Sequence, residues 1–227
     1  MFSLGIIGFI IGLIIPASCG RFGKILPADP GLILLTIWHR PHFPKVHDVT
    51  RARQLHQKWI KLICFSVGWG AAISALFIVS NFLLPVSLRP WAYLFYVLVS
   101  CCIVVDSQYC LLPDFFTLPL LIIGFAMAAF TRNLTPIDSV IGAGFGYLLA
   151  TFSVLFLGLF RRTELGAGDV KMMAAIGSWL GAIGLNFALF ISFFIFALYA
   201  ALSNQKAGPY GPALGISALI IFLFLFI

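Results

Sequence analysis

The sequence predicts an all-α, polytopic helical membrane protein with about eight transmembrane helices. Of its 227 residues, 62% are hydrophobic and only 9% are charged, a composition typical of integral membrane proteins and not of soluble domains. A membrane span needs about 20 apolar residues, so the chain has room for several spans and little for a soluble domain. The net charge of +7 then indicates orientation in a lipid bilayer, not nucleic-acid binding.

Polar or proline-containing stretches divide the apolar sequence into eight predicted spans. A basic stretch, 20–58, follows the first span, Pro85 and Pro90 mark a turn, and Pro136 lies in the loop 131–138, since proline is a strong turn signal. We expect spans at about 2–19, 59–84, 91–105, 115–130 and 139–160, two within 172–202 that join near 181–184, and a last one after 203–211.

The N-terminal run, 2–19, is predicted to be a retained span. No Lys or Arg precedes it and the basic residues start at Arg21, whereas a secretory signal begins with a basic region. The chain is therefore predicted to have two parts, the first helix with its basic loop at 1–58 and a transmembrane core at 59–227.

Small residues recur four positions apart in three of the predicted spans. The pairs are Gly8 with Gly12, Gly142 with Gly146, and Gly177 with Gly181. Such pairs let membrane helices approach closely, so we predict that these glycines serve helix packing.

The distribution of basic residues predicts the orientation. If the N-terminus is outside, twelve of the fourteen Lys and Arg residues fall in or beside cytoplasmic loops, and only Arg89 and Arg132 do not. Cytoplasmic loops carry such an excess. The predicted cytoplasmic loops are 20–58 with Lys61, 106–114, 161–171 and 203–211. This orientation places Asp106 and Asp169 on the same, cytoplasmic side of the membrane.

The polar stretch Glu164–Lys171 lies between two long apolar runs. An acid at the mouth of a membrane helix is costly, which makes Asp169 a functional candidate. Gly166 and Gly168 carry no side chain, so another backbone could lie close to Asp169. The alternative is a cytoplasmic turn whose Asp caps the next helix. The second acid, Asp106, at the end of another apolar run, favours the functional interpretation.

Two carboxylates that face one water molecule can catalyse peptide hydrolysis. Like charges at close range disfavour double ionisation, so one acid stays protonated. The ionised acid takes a proton from water while the other donates to the peptide carbonyl. No His lies in a predicted span and the sequence contains no His-Glu-x-x-His, so serine–histidine and zinc protease chemistry lack their residues.

Two further charged residues near these acids have open roles. Asp114 follows Pro113 and is predicted to cap the fourth span, with catalysis as the lesser alternative. Lys171 either anchors the chain at the cytoplasmic face or tunes Asp169. Glu164 is predicted to be a solvated loop acid.

No metal site is predicted. None of the five cysteines forms a Cys-x-x-Cys pair, which a zinc site of this kind would need. His39 and His42 have a plausible ligand spacing, but prolines interrupt the stretch and no cysteine supports it, so we interpret the four histidines as solvated loop residues.

Three motifs together resemble the type IV prepilin peptidase family of GxGD-type intramembrane aspartyl proteases. The first is Asp106 with Leu111-Leu112-Pro113-Asp114, the second is Glu164–Lys171, and the third is Gly211-Pro212-Ala213-Leu214-Gly215. The resemblance covers about 91–227 and is looser in the first span. Gly-x-Gly-Asp alone would not be specific, whereas the motifs in combination are.

The resemblance implies Asp106 and Asp169 as the catalytic pair, with substrate-binding or motif-support roles for Gly166, Gly168, Lys171 and Asp114. It implies cleavage of the short basic leader of prepilins or pseudopilins at the cytoplasmic face of the bacterial inner membrane, after a glycine and without a cofactor. The sequence gives no indication of an oligomeric state or of the pilin system served.

The first predicted cytoplasmic loop departs from the family pattern. Many bifunctional members carry paired Cys-x-x-Cys motifs there, a region linked by resemblance to N-methylation of the product. This loop has no cysteine after Cys19, so we predict that the zinc site is missing and favour a peptidase without the zinc-linked methyltransferase site.

Two alternative functions stay open. The Pro212-Ala213-Leu214 segment matches the Pro-Ala-Leu motif of presenilin and signal-peptide-peptidase relatives, although Asp106 begins a loop motif instead of lying in mid-span. A small proton-coupled transporter is the non-enzyme alternative, because intramembrane acids often mark ion pathways. A transporter more often places its polar groups at the membrane midplane.

Overall fold

The computed structural model of the chain describes residues 2–22, 49–110, 112–160, 166–203 and 208–227. These residues form α1 (Phe2–Phe22), α2 (Val49–Leu83), α3 (Arg89–Tyr109), α4 (Asp114–Phe130), α5 (Pro136–Phe160), α6 (Ala167–Ser203) and α7 (Gly211–Phe226). The described parts of the chain contain no strand, which confirms the all-α class.

The helices have the length and composition of membrane spans. Four described segments are long and apolar enough to cross a bilayer, namely Ile63–Leu83, Arg89–Tyr109, Pro136–Leu155 and Ala167–Leu202, and three shorter apolar helices are Ser3–Cys19, Asp114–Phe130 and Gly211–Phe226. Large apolar side chains such as Phe130 and Phe152 are 81% and 70% exposed, as expected for residues that face lipid. The protein is therefore a polytopic membrane protein.

By their contacts, the residues group into two compact units, Met1–Val79 and Ser80–Ile227. In the first unit α1 packs on α2 through small residues. A Cβ added to Gly12 would lie 2.5 Å from the Cα of Gly70, and the Ser74 hydroxyl donates a hydrogen bond to the Gly5 carbonyl at 2.9 Å. The predicted division at 58/59 stays a prediction.

In the second unit α6 is a helical hairpin. Its Gly181 has φ 68° and ψ 178°. Glycine adopts such a positive φ readily, whereas residues with a Cβ rarely do. A Cβ at Gly146 of α5 would meet both the Met173 carbonyl and the Leu185 side chain. Because residues from both sides of Gly181 lie at one level of α5, the chain reverses there. The prediction of two spans that join near 181–184 is confirmed.

Aromatic side chains hold α3, α6 and α7 together. The rings of Phe95, Trp179 and Phe222 are fully buried, with centroid distances of 4.6 Å from Phe95 to Phe222 and 4.9 Å from Phe95 to Trp179. The Trp179 indole donates a 2.7 Å hydrogen bond to the Leu120 carbonyl, which ties α4 to the same cluster. This core fixes which faces of α3, α6 and α7 meet.

The α5–α6 contact depends on glycine and gives a stability prediction. A Cβ at Gly142 would clash with the Gly177 carbonyl and lie 2.7 Å from the Gly181 Cα, whereas a Cβ at Gly144 meets nothing within 4 Å. We expect Gly142→Leu to lower the free energy of unfolding by about 1–3 kcal/mol through overpacking. Thermal denaturation in detergent measures the loss. Gly144→Leu is the matched control, and equal stability of the two variants would contradict the packing.

Candidate active site

Asp106 lies in the last turn of α3 and is only 4% exposed. The predicted span ended at 105, but α3 continues to Tyr109, so Asp106 is helical and not the first residue of a loop. The helix ends at Cys110, which has a left-handed φ of 49° and donates its N–H to the Asp106 carbonyl at 2.8 Å. The αL residue turns the chain away immediately after the acid.

Asp169 lies in the first turn of α6 and is half-buried. The predicted cytoplasmic loop ran to Lys171, whereas the helix already begins at Ala167. An acid in the first turn is favoured by the helix dipole, and the Asp169 N–H donates to the Gly166 carbonyl at 3.0 Å. The carboxylate interacts electrostatically with that of Asp106. The structure therefore brings the two predicted acids together at one end of the second unit.

Gly211 at the start of α7 supports Asp106 directly. Its N–H donates to Asp106 Oδ2 at 2.9 Å. A Cβ at this position would lie only 2.5 Å from the same oxygen. One turn later, a Cβ at Gly215 would clash with Ile103 of α3. The Gly-Pro-Ala-Leu-Gly motif thus places a backbone without side chains at Gly211 and Gly215 against the face of α3 that carries the acid.

The two glycines before Asp169 differ in their surroundings. A Cβ at Gly168 would lie 2.7 Å from Leu112 Cβ and 3.2 Å from the Leu112 carbonyl oxygen. A Cβ at Gly166 would meet Asp169 Oδ2 at 3.7 Å and the Gly168 nitrogen at 3.9 Å, both ordinary contacts. The predicted close approach of another backbone is therefore confirmed for Gly168, and its partner is the segment that follows Asp106.

Lys171 and Asp114 form an ion pair, with Lys171 Nζ 2.5 Å from Asp114 Oδ1. Pro113 is the N-cap of α4 and Asp114 is its first helical residue, so the prediction that Asp114 is the cap is wrong. The proline supplies the extended backbone that precedes the helix, and the acid is displaced into the first turn. Lys171, for which anchoring or tuning of Asp169 was expected, pairs with this second acid.

Tyr210 and Ser192 are polar residues near the acids that the sequence did not indicate. Their hydroxyl groups hydrogen bond to each other, and Tyr210 interacts electrostatically with Asp169. Burial raises the pKa of the Tyr210 phenol above 10.0, the Asp169 charge adds to the rise, and the Ser192 hydrogen bond opposes it. The phenol therefore stays protonated at neutral pH. No local pattern marks this pair, because its members come from α6 and from the turn before α7.

An apolar cavity of about 180 Å³ lies between α3, the second half of α6 and the start of α7. Ser107 and Pro212, the sequence neighbours of Asp106 and Gly211, contribute to its wall. The other lining residues are mostly apolar and include Ile195, Phe196, Tyr199 and Ile216. The site thus combines a polar pair with an apolar surface.

Of the remaining candidates, Glu164, His39, His42 and His47 lie outside the described part of the chain. His56 lies in α2, so the prediction that it is a loop residue is wrong. Among the residues that are described, no group of three or more His, Cys, Asp or Glu could hold a metal ion.

Comparison with known proteins gives a consistent set of relatives. The model of the type IV leader peptidase family matches residues 93–201, which include both acids. Proteins named prepilin leader peptidase/N-methyltransferase are 35% identical over 184 residues in Dichelobacter nodosus, 38% over 125 in Neisseria gonorrhoeae and 30% over 138 in Xanthomonas campestris pv. campestris. No solved structure matches the chain significantly.

The matches cover more of this chain than of its relatives. They include 73%, 52% and 56% of this chain but 64%, 42% and 48% of those three relatives, respectively. The chain therefore spans less than two thirds of the length of the relatives it matches. The family-model match includes both acid-bearing motifs, and several relatives are 30–38% identical, so this chain is similar to the type IV leader peptidase family across the part that carries both acids.

Proposed function

We propose that this chain is a membrane aspartic endopeptidase that removes the short basic leader of type IV prepilins or pseudopilins. One observation carries the proposal: Asp106 and Asp169 come from different helices, and Leu112, on the segment after Asp106, packs on Gly168, the residue before Asp169. The names of the relatives support the substrate class.

The chemistry follows from two carboxylates that share a proton. Like charges in partly buried surroundings disfavour double ionisation, so the pair holds one proton and titrates as a unit. The ionised member accepts a proton from water, which attacks the scissile carbonyl, while the protonated member donates to the carbonyl oxygen. The Gly211 N–H fixes one oxygen of Asp106, which leaves the other free to face the water.

The position of the acids suits a substrate anchored in the membrane. Both lie in terminal turns of their helices, so the cleavage site would lie near a membrane face. The positive-inside bias supports the cytoplasmic face of the inner membrane. The substrate's own apolar segment would stay in the bilayer, and its residues beside the scissile bond would fit the apolar cavity. Confinement to the membrane supplies part of the positioning that catalysis needs.

The same placement argues against the transporter alternative. A transporter site is expected near the bilayer midplane, formed by broken helices. The break of α6 is at Gly181, whereas Asp169 lies twelve residues before it, about 18 Å along a helix. The break in α6 is therefore far from the two acids along the helix axis, whereas a transporter site would place both together.

We further propose that the chain acts without a zinc-linked methyltransferase site. The support comes from the sequence, which has no cysteine between Cys19 and Cys64 and therefore no Cys-x-x-Cys pair in that stretch. The relatives carry N-methyltransferase in their names, so the two activities need separate tests in this chain.

Removing either carboxylate is expected to abolish cleavage. Asp106→Asn and Asp169→Asn keep the side-chain shape but lose the shared proton, so we expect a loss of at least about 10³-fold in kcat, which combines acid–base and electrostatic contributions. Cleavage of a prepilin substrate in membranes measures it. Asp138→Asn is the control, because Asp138 is an exposed acid in the first turn of α5 that hydrogen bonds with Thr135. Persistent cleavage by both variants would disprove the assignment.

Gly211→Ala is expected to reduce cleavage although it changes no acid. The added methyl would lie 2.5 Å from Asp106 Oδ2, so the carboxylate must turn away and lose its hydrogen bond. We expect a loss of about 10²-fold in kcat. Gly144→Ala, which has open space, should keep full activity. Equal activity of the two variants would show that the position of Asp106 does not depend on this contact.

The mass of the cleaved product tests the second proposal. We expect the new N-terminal amine to be unmethylated when the purified chain is supplied with substrate and a methyl donor. Mass spectrometry of the product distinguishes the forms, with a bifunctional relative as positive control. A methylated product would show that methyl transfer does not need the paired cysteines.

A further inference from the structure

Two contacts connect the segment after Asp106 to the segment around Asp169. Leu112 packs on Gly168, where a Cβ would lie 2.7 Å from the Leu112 Cβ. Two residues further, Asp114 pairs with Lys171 at 2.5 Å. Gly168 and Lys171 lie one residue before and two residues after Asp169, so both contacts act next to the acid.

We propose that the Lys171–Asp114 ion pair is a positioning clamp that sets the placement of Asp169 relative to Asp106; this inference rests on the proposed peptidase function. Asp106 is held by α3 and Gly211. The chain then turns at Cys110, passes Gly168 at Leu112 and begins α4 at Asp114. The Lys171–Asp114 ion pair joins the N-terminus of α4 to the N-terminus of α6, so the segment that follows Asp106 is connected to the turn that carries Asp169.

The exposure of the pair separates a positioning role from a stabilising one. The Lys171 and Asp114 side chains are 42% and 56% exposed, and ion pairs this accessible contribute little to global stability. The aromatic core and the α5–α6 glycine contact hold the unit together without them. Catalysis is far more sensitive to geometry, since a misplacement of about 1 Å can cost about 10²-fold in rate.

A charge swap tests the clamp through activity. We expect Lys171→Met and Asp114→Asn to lower kcat by about 10- to 100-fold, with KM and thermal stability nearly unchanged. Lys171→Arg should keep most of the activity, because it keeps the charge. The double variant Asp114→Lys/Lys171→Asp restores the pair with the same net charge, so its kcat should exceed that of either single variant.

Arg89→Met is the matched control, since Arg89 is a cation at the opposite end of α3 that bonds Asn81 and the Leu84 carbonyl. Its kcat should equal that of the unmodified chain. Full activity of Lys171→Met, or a double variant no better than the single ones, would overturn the clamp. Asp169→Asn run in parallel reports on the peptidase function separately.

A second readout does not depend on activity. Cys110 is exposed, and a spin label there can be paired with one at Ala167→Cys, which is also exposed, in a chain whose other cysteines are replaced. We expect a narrow distance distribution that Lys171→Met broadens and Lys171→Arg preserves. An unchanged distribution in Lys171→Met would overturn the clamp. If the unmodified chain cleaves no prepilin, the peptidase proposal fails while this measurement still decides the clamp.

Discussion

The meeting of two carboxylates at one end of a helical unit is the constraint on which the rest of the structure depends. Charge in or beside a membrane is costly, and two carboxylates close together disfavour the state in which both are ionised. Among the described residues, a backbone N–H group stabilises the carboxylate of Asp106, since Gly211 donates its N–H to Asp106. Lys171, two residues after Asp169, is paired with Asp114.

The hairpin of α6 brings residues from both of its halves to the end of the unit where the two acids lie. The reversal at Gly181 lets one half of α6 carry Asp169 while the other half returns toward the same end. Ser192 on the returning half binds the hydroxyl of Tyr210, the residue before Gly211. Close contacts of Gly142 and Gly146 of α5 with α6 make the reversal compact. Gly215 of α7 packs closely on Ile103 of α3, so small residues in the spans hold together the helices that carry the polar residues at their ends.

Local patterns predicted the spans, the glycine packing and the two acids, because hydrophobic length, small-residue spacing and isolated charge are all visible in the sequence. They did not predict that Asp106 and Asp169 lie inside helices, since helix ends depend on caps such as Cys110. Nor did they predict the pairing of Lys171 with Asp114, whose members are 57 residues apart. Such a pair depends on how α4 and α6 pack together, and the hydrophobic periodicity of a single helix does not contain that information.

Proximity of residues 106 and 169 is the property to measure first. In a chain whose five native cysteines are replaced by serine, Asp106→Cys/Asp169→Cys would be treated in membranes with a short bifunctional thiol reagent. Peptides would then be identified by mass spectrometry. We expect a cross-link between 106 and 169, and none in Asp106→Cys/Ala182→Cys, where the second cysteine lies at the hairpin turn. Absence of the first cross-link, while a Ser192→Cys/Tyr210→Cys pair, whose native hydroxyl groups hydrogen bond to each other, does react, would contradict a shared site.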